Sequence, residues 1–213
     1  MTSSFLVVLD VDSTLIEDEV IELIAQRAGS LDEVAAVTER AMRGELDFTA
    51  SLRARVATLA GLSTDDVDAV RSQVRLTVGV PELVEGVHAA GGRIAVVSGG
   101  FHEILDPLAE QLGLDRWCAN RLEVEAGVLT GRVLGDVVDA AAKAVALREW
   151  AAEWGIPLSR TIAVGDGAND LAMMDAEALS VAFDAKPVVR ERADVVFDRR
   201  DLSPVLALFG LRG

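Results

Sequence analysis

Five short, aliphatic or β-branched runs recur along the chain, at 5–9, 93–97, 161–164, 179–182 and 194–197, each bounded by turn residues. Such runs read as parallel strands buried on both faces, because a strand with one wet face would alternate apolar and polar positions. Helical patterns lie between them, at 82–90, 102–112, 141–154, 171–177 and 202–209. Strands alternating with helices predict an α/β fold, a doubly wound (Rossmann-like), mostly parallel sheet. A sheet of this kind gathers its functional residues at the carboxyl ends of its strands. Asp10 follows the first run, and Gly165-Asp166-Gly167 follows the third.

The segment 17–75 breaks the rhythm. It holds no strand pattern but four helical ones, at 18–28, 31–43, 48–59 and 64–74, with Asp47 and Ser63 placed as N-caps. Inserted after the first strand, these helices predict a helical-bundle cap over the strand-end face. A second insertion, 121–133, carries Ala126-Gly127 between β-compatible flanks and reads as a hairpin. The expected organisation is a core of 1–16 and 77–213, a cap of 17–76, and a small β-hairpin flap at 120–134 within the core.

Composition narrows the classes. At 213 residues the chain can bury a sizeable core. No apolar run approaches the roughly 18 residues a spanning helix needs, and the opening apolar segment is short, lacks a basic flank and ends on Asp10. A cytoplasmic protein with no membrane partner is expected. Cys118 is the single cysteine, which excludes an internal disulfide and a cysteine-rich zinc site. The net charge of −15 sets nucleic acid aside as a partner. It also poses a question for any anionic substrate.

Four constellations carry chemistry. Asp10-Val11-Asp12-Ser13-Thr14 places two carboxylates at a strand end, where they can converge on a hard cation such as Mg²⁺. Alone, an Asp-x-Asp pair is more often a polar loop closed by an Asx-turn. Gly165-Asp166-Gly167-Ala168-Asn169-Asp170 puts further acids beyond another strand, though glycines before an N-cap also make an ordinary turn. Val97-Ser98-Gly99-Gly100-Phe101 reads as a glycine turn before a helix, offering backbone N–H groups and a hydroxyl to an anion, or simply a tight turn. Lys143 stands near a helix start among alanines. A lysine is usually solvated, but beside three acids it would neutralise them and hold an anionic group.

In their order and spacing, Asp10-x-Asp12-x-Thr14, Ser98, Lys143 and Gly165-Asp166-Gly167-x-Asn169-Asp170 resemble the motifs of the haloacid dehalogenase superfamily of phosphatases. Its phosphoserine phosphatase branch is similar over nearly the whole chain. The matching segments are Asp10–Leu15 followed by Glu19, Ser51-Leu52-Arg53-Ala54-Arg55-Val56, Val96–Phe101, Ala119-Asn120-Arg121-Leu122 and Ala185-Lys186-Pro187. One departure is Val78-Gly79-Val80-Pro81, where many members have proline before glycine.

The resemblance implies hydrolysis of O-phosphoserine, the last step of phosphorylated serine biosynthesis. Asp10 would be the nucleophile and Asp12 the acid and base, with Mg²⁺ held by Asp10, the Asp12 carbonyl and Asp166. Ser98, Gly99 and Lys143 would bind phosphoryl oxygens, Asn169 the phosphate or substrate, and Asp170 would orient Lys143 or metal-bound water. Glu19 is expected on the substrate ammonium and Arg55 on its carboxylate, with Met42 and Phe48 as apolar wall or helix core. Local cations and dipoles would answer the overall negative charge at short range. A homodimer stays open. Competing readings are another small phosphomonoester, phosphoryl transfer to an acceptor such as homoserine, and a phosphoacceptor signalling domain. His88, His102 and the three tryptophans carry no ligand pattern.

Overall fold

The computed structural model describes residues 4–176 and 179–211. Its centre is β1 (Leu6–Leu9), none of whose side chains reaches solvent. β1 pairs in parallel with β2 (Arg93–Phe101) on one side and β5 (Thr161–Gly165) on the other. With β3 (Arg116–Glu125), β4 (Val128–Leu134), β6 (Leu179–Phe183) and β7 (Val195–Phe197), the sheet runs β4-β3-β2-β1-β5-β6-β7. β4 alone is antiparallel to its neighbour. Alternating side chains feed two cores. Val7, Leu9, Val96 and Val164 face one layer, and Leu6, Val8, Val97 and Ala163 the other. The chain leaves β1 toward β2, β3 and β4 and returns on the far side at β5. That reversal opens a crevice at the carboxyl ends of β1 and β5.

Nine α-helices accompany the sheet among the described residues. α1 (Val20–Ala28), α2 (Leu31–Met42), α3 (Phe48–Ala57) and α4 (Thr64–Arg71) are inserted between β1 and α5 (Val80–Ala89). Their apolar faces, including Ile24, Leu52, Val56 and Val70, merge with the core on one side of the sheet. Asp47 caps α3 by accepting the Ala50 N–H at 2.7 Å, and Ser63 caps α4 through the Asp66 N–H at 3.1 Å. The two connections to the insertion run side by side: the Glu17 N–H donates to Arg75 O and the Thr77 N–H to Leu15 O. α6 (His102–Leu112), α7 (Ala140–Glu153), α8 (Leu171–Met174) and α9 (Pro187–Arg190) complete the α/β layers. None of the helices is long and apolar enough to cross a membrane among the described residues.

The hairpin turns at Ala126 and Gly127, both with positive φ, as a two-residue turn between right-twisted strands requires. Its outer strand is tied to the insertion. The Gly61 N–H donates to Leu129 O and the Leu129 N–H to Leu62 O, both at 2.8 Å, and the Thr64 N–H reaches Gly127 O at 3.0 Å. Gly131 lies against Ala57 and Ala60, where a Cβ would come within 3.0 Å of Ala60.

Several elements differ from the sequence expectation. The run 93–97 continues as strand through Ser98, Gly99 and Gly100 to Phe101, so the supposed glycine turn is an irregular strand segment. β3 begins at Arg116, five residues before the expected hairpin, because Arg-Trp-Cys-Ala-Asn contains no β-branched residue to announce a strand. α4 stops at Arg71, where three-residue hydrogen bonds from Gln73 to Val70 and from Val74 to Arg71 tighten the chain. The last helix is a 3₁₀ helix, Ser203–Leu211. Glu177, the expected end of the helix at 171–177, lies outside the described residues.

Candidate active site

Two strands hand their last residues to one point. Asp10 leaves the end of β1 with its N–H on Val164 O, which sets its side chain beside β5. Asp166 and Asp170 follow the end of β5. A carboxylate oxygen from each of Asp10, Asp166 and Asp170 lies within 4.8 Å of the other two. Gly165 makes this approach feasible, since a Cβ there would stand 2.4 Å from the Asp170 carboxyl carbon.

Lys143, from the first turns of α7, is fully buried beneath this cluster. Its Nζ donates to Asp10 Oδ1 at 2.6 Å and to Asp170 Oδ1 at 2.8 Å. Burial alone would favour the neutral amine, but the charges on Asp10 and Asp170 override it and hold Lys143 protonated. The other Asp170 oxygen accepts the N–H groups of Asp166 and Gly167 at 3.2 and 3.0 Å. Asp170 is thereby fully engaged, which leaves Asp10 and Asp166 as the open carboxylates.

Asp12 sits in extended backbone, and Ser13 after it adopts φ +56. The Val20 N–H at the start of α1 donates to Asp12 Oδ1 at 3.0 Å. Burial, reinforced by the charge on Glu19, pushes the Asp12 carboxyl up to about 7. Burial likewise raises Asp10, with Asp170 and Asp12 adding repulsion against the pull of Lys143. Asp166 rises to about 6 through burial, opposed by Lys186. Gly100 lets Asp12 approach closely, since a Cβ there would lie 2.9 Å from Asp12 Oδ2.

These groups floor a cavity of about 370 Å³. The structure brings Asp10, Asp12, Glu19, Arg55, Gly99, Asp166 and Asn169 together on its wall. Glu19, from the N-terminus of α1, accepts the Ser13 hydroxyl at 2.8 Å. Arg55, on α3, is partly buried, which lowers its pKa against the pull of Glu19, Asp12 and Glu22. The Phe48 ring, at the start of α3, presses on Gly99 so closely that a Cβ there would lie 2.7 Å from the ring. Ser98, Lys143 and Asp170 do not line the cavity but lie buried behind it. Ser98 Oγ there accepts the Gly100 N–H at 2.7 Å.

Three polar lining side chains were not assigned to the site from the sequence: Glu22, Thr38 and Lys186. Lys186 follows β6, with its backbone N–H on Asp166 O at 3.0 Å and its ammonium 3.8 Å from Asp166 Oδ2. Its only sequence signal was the Ala185-Lys186-Pro187 run. Met42 is almost wholly exposed on an adjoining, more apolar cavity of about 530 Å³ that shares Phe48, Arg55, Asn169 and Lys186.

A sequence model of haloacid dehalogenase-like hydrolases matches residues 7–175, which include β1 from Val7, all of β5 and every acidic group of the cluster. The chain belongs to that family. Among family relatives it is similar to phosphoserine phosphatase of Streptomyces coelicolor, 58% identical over 97% of this chain and 50% of that protein. It is also similar to phosphoserine phosphatase SerB2 of Mycobacterium tuberculosis, 51% identical over 97% of this chain and 50% of that protein. The chain therefore spans about half the length of these two curated relatives. Phosphoserine phosphatase of Streptococcus thermophilus is 48% identical over 95% of this chain and 94% of its own length. Among solved structures, a phospho-aspartyl intermediate analogue of phosphoserine phosphatase superposes with a TM-score of 0.90 at 42% identity, covering 96% of this chain and 98% of the other. A substrate-bound phosphoserine phosphatase complex gives 0.91 at 41% identity, covering 97% and 99%.

Proposed function

We propose that the chain hydrolyses O-phosphoserine to serine and phosphate through an aspartyl-phosphate on Asp10. The observation that carries this reading is the buried Lys143–Asp10 pair at the base of a cavity whose wall bears both Glu19 and Arg55. A carboxylate held by a buried ammonium is an oriented nucleophile, and two opposite charges above it match an amino acid's ammonium and carboxylate.

In the first step an Asp10 oxygen attacks phosphorus and the bond from phosphorus to the serine oxygen breaks. Asp12 gives its proton to the departing alkoxide, a task for which a carboxyl titrating near neutrality is suited. In the second step Asp12 takes a proton from water, which attacks the aspartyl-phosphate and frees phosphate and Asp10. The Gly99 N–H, on the cavity wall, receives a phosphoryl oxygen, while Ser98 and Lys143 behind it hold the Gly100 N–H and the Asp10 carboxylate in place. Asn169 faces the same space from the β5 side.

Asp10 and Asp166, whose carboxylate oxygens converge with that of Asp170 within 4.8 Å, offer all-oxygen donor chemistry that fits Mg²⁺, and the Asp12 backbone carbonyl would join them. Bound there, the ion would offset the repulsion between carboxylate and phosphate dianion. The test is phosphate release across a panel of small phosphomonoesters, with and without Mg²⁺, in wild type and Asp10→Asn. Many turnovers, highest on phosphoserine and absent in Asp10→Asn or excess chelator, are expected. At most one phosphate per chain, or an active Asp10→Asn, would overturn the reading.

A further inference from the structure

Asn120 has no part in the steps above, yet it is 1% exposed and sits directly behind the phosphoryl-binding segment. β2 and β3 pair regularly up to Val97 and Cys118, then resume at Phe101 and Asn120. Three residues of β2, Ser98, Gly99 and Gly100, thus stand opposite Ala119 alone. A bulge of this kind interrupts the ladder, so polar groups within it need other partners. Ser98 Oγ serves the Gly100 N–H, and Asn120 Nδ2 donates to the Gly99 carbonyl at 2.9 Å.

The other end of the same amide is also committed. Asn120 Oδ1 accepts the Val138 N–H at 2.8 Å, one residue before Asp139, the N-cap of the helix that carries Lys143. Only one orientation of the amide satisfies a carbonyl on one side and an N–H on the other. The preceding residue reinforces the clamp, its N–H donating to His102 Nε2 at 3.1 Å. One buried side chain therefore joins the bulge that contains Gly99 to the entry of α7.

We propose that Asn120 is a positioning residue: it sets the Gly99 backbone toward the phosphoryl group and holds that backbone in register with Lys143. The inference rests on the phosphatase reading. It concerns phosphate and not the amino-acid half of the substrate, and this separates it from a structural role.

The test uses the Mg²⁺-loaded protein with orthophosphate and L-serine as separate probes. Asn120→Asp keeps an acceptor for Val138 but has no N–H for Gly99, and Asn120→Ala removes both contacts. Both variants should weaken orthophosphate binding roughly 10- to 100-fold and lower kcat, with L-serine binding held within about twofold. Equal losses for both probes, unchanged orthophosphate binding, or a loss confined to the charged Asp variant would each overturn the proposal. If neither variant folds, ¹⁵N-labelled wild type decides. The Asn120 side-chain amide should shift on titration with orthophosphate, and an unmoved resonance overturns the proposal. A wild-type protein that neither hydrolyses phosphoserine nor binds orthophosphate would overturn the functional reading, and the inference with it.

Discussion

Asp166→Asn should make the metal-free protein more stable while abolishing its activity. Burial raises the Asp166 carboxyl from 3.8 to about 6, with Asp170 and Glu19 adding and Lys186 opposing. About two pH units correspond to roughly 3 kcal/mol, reduced by about a third to ~2 kcal/mol by the solvent contact Asp166 retains. The sign follows from a folded pKa above the unfolded one. Below about pH 4 the group is protonated in both states and contributes no penalty. Between about pH 4 and 6 the unfolded state releases the proton that the folded state still holds, so the penalty grows, and above about 6, where both are ionised, the whole penalty applies. Asp166→Asn carries no such penalty. Thermal unfolding in chelator should therefore give the variant a Tm roughly 4–8 °C above wild type at pH 8, with the gap closing toward pH 4. Added Mg²⁺ should raise the wild-type Tm and leave the variant nearly unmoved. A variant less stable than wild type at pH 8, or a gap independent of pH, would refute the reasoning.

Three further outcomes are expected. Asp12→Asn keeps the Val20 N–H contact but cannot carry a proton, so kcat should fall by ~10²–10⁴ with KM nearly unchanged in steady-state assays. Arg55→Ala should impair phosphoserine hydrolysis ~10- to 100-fold more than phosphoethanolamine hydrolysis, and Glu19→Gln should do the same relative to phospholactate, because each truncated substrate lacks the group concerned. Equal losses on full and truncated substrates would remove these residues from recognition. Gly165→Ala forces its Cβ against the buried Asp170, so denaturant melts should show a loss of ~1–3 kcal/mol together with lost turnover.

The legible parts of the fold were those where local composition and burial coincide. β1, β5 and β6 are buried on both faces, so their sequences are dominated by aliphatic residues, with only Thr161 and Ser180 as polar members, and Asp10 and Asp166 stand out as the acids that follow β1 and β5. The N-caps Asp47 and Ser63 were legible because a cap acts within three residues. Lys143 lies among alanines and was legible only in the company of the acids, because its burial is set by Asp10 and Asp170, 133 and 27 residues away. What escaped also depends on distant partners. Ser98-Gly99-Gly100 reads as a turn because glycines usually make one, whereas the pairing of β3 with β2 keeps it a bulged strand. Lys186 is exposed, and beyond its Ala185-Lys186-Pro187 run only its place on the cavity and beside Asp166 singles it out.

The backbone bonds between β4 and residues 61–64 bear on how this fold can be rebuilt. A chimera that took its inserted helices from a relative would keep these three main-chain hydrogen bonds only if its backbone at 61–64 meets the hairpin tip with the same geometry. Two stretches far apart in the sequence thus behave as one transplantable part. An insertion or deletion in the loop between α3 and α4 calls for a matching change at 127–129, so the lengths of hairpin and helical insert are free to vary only together.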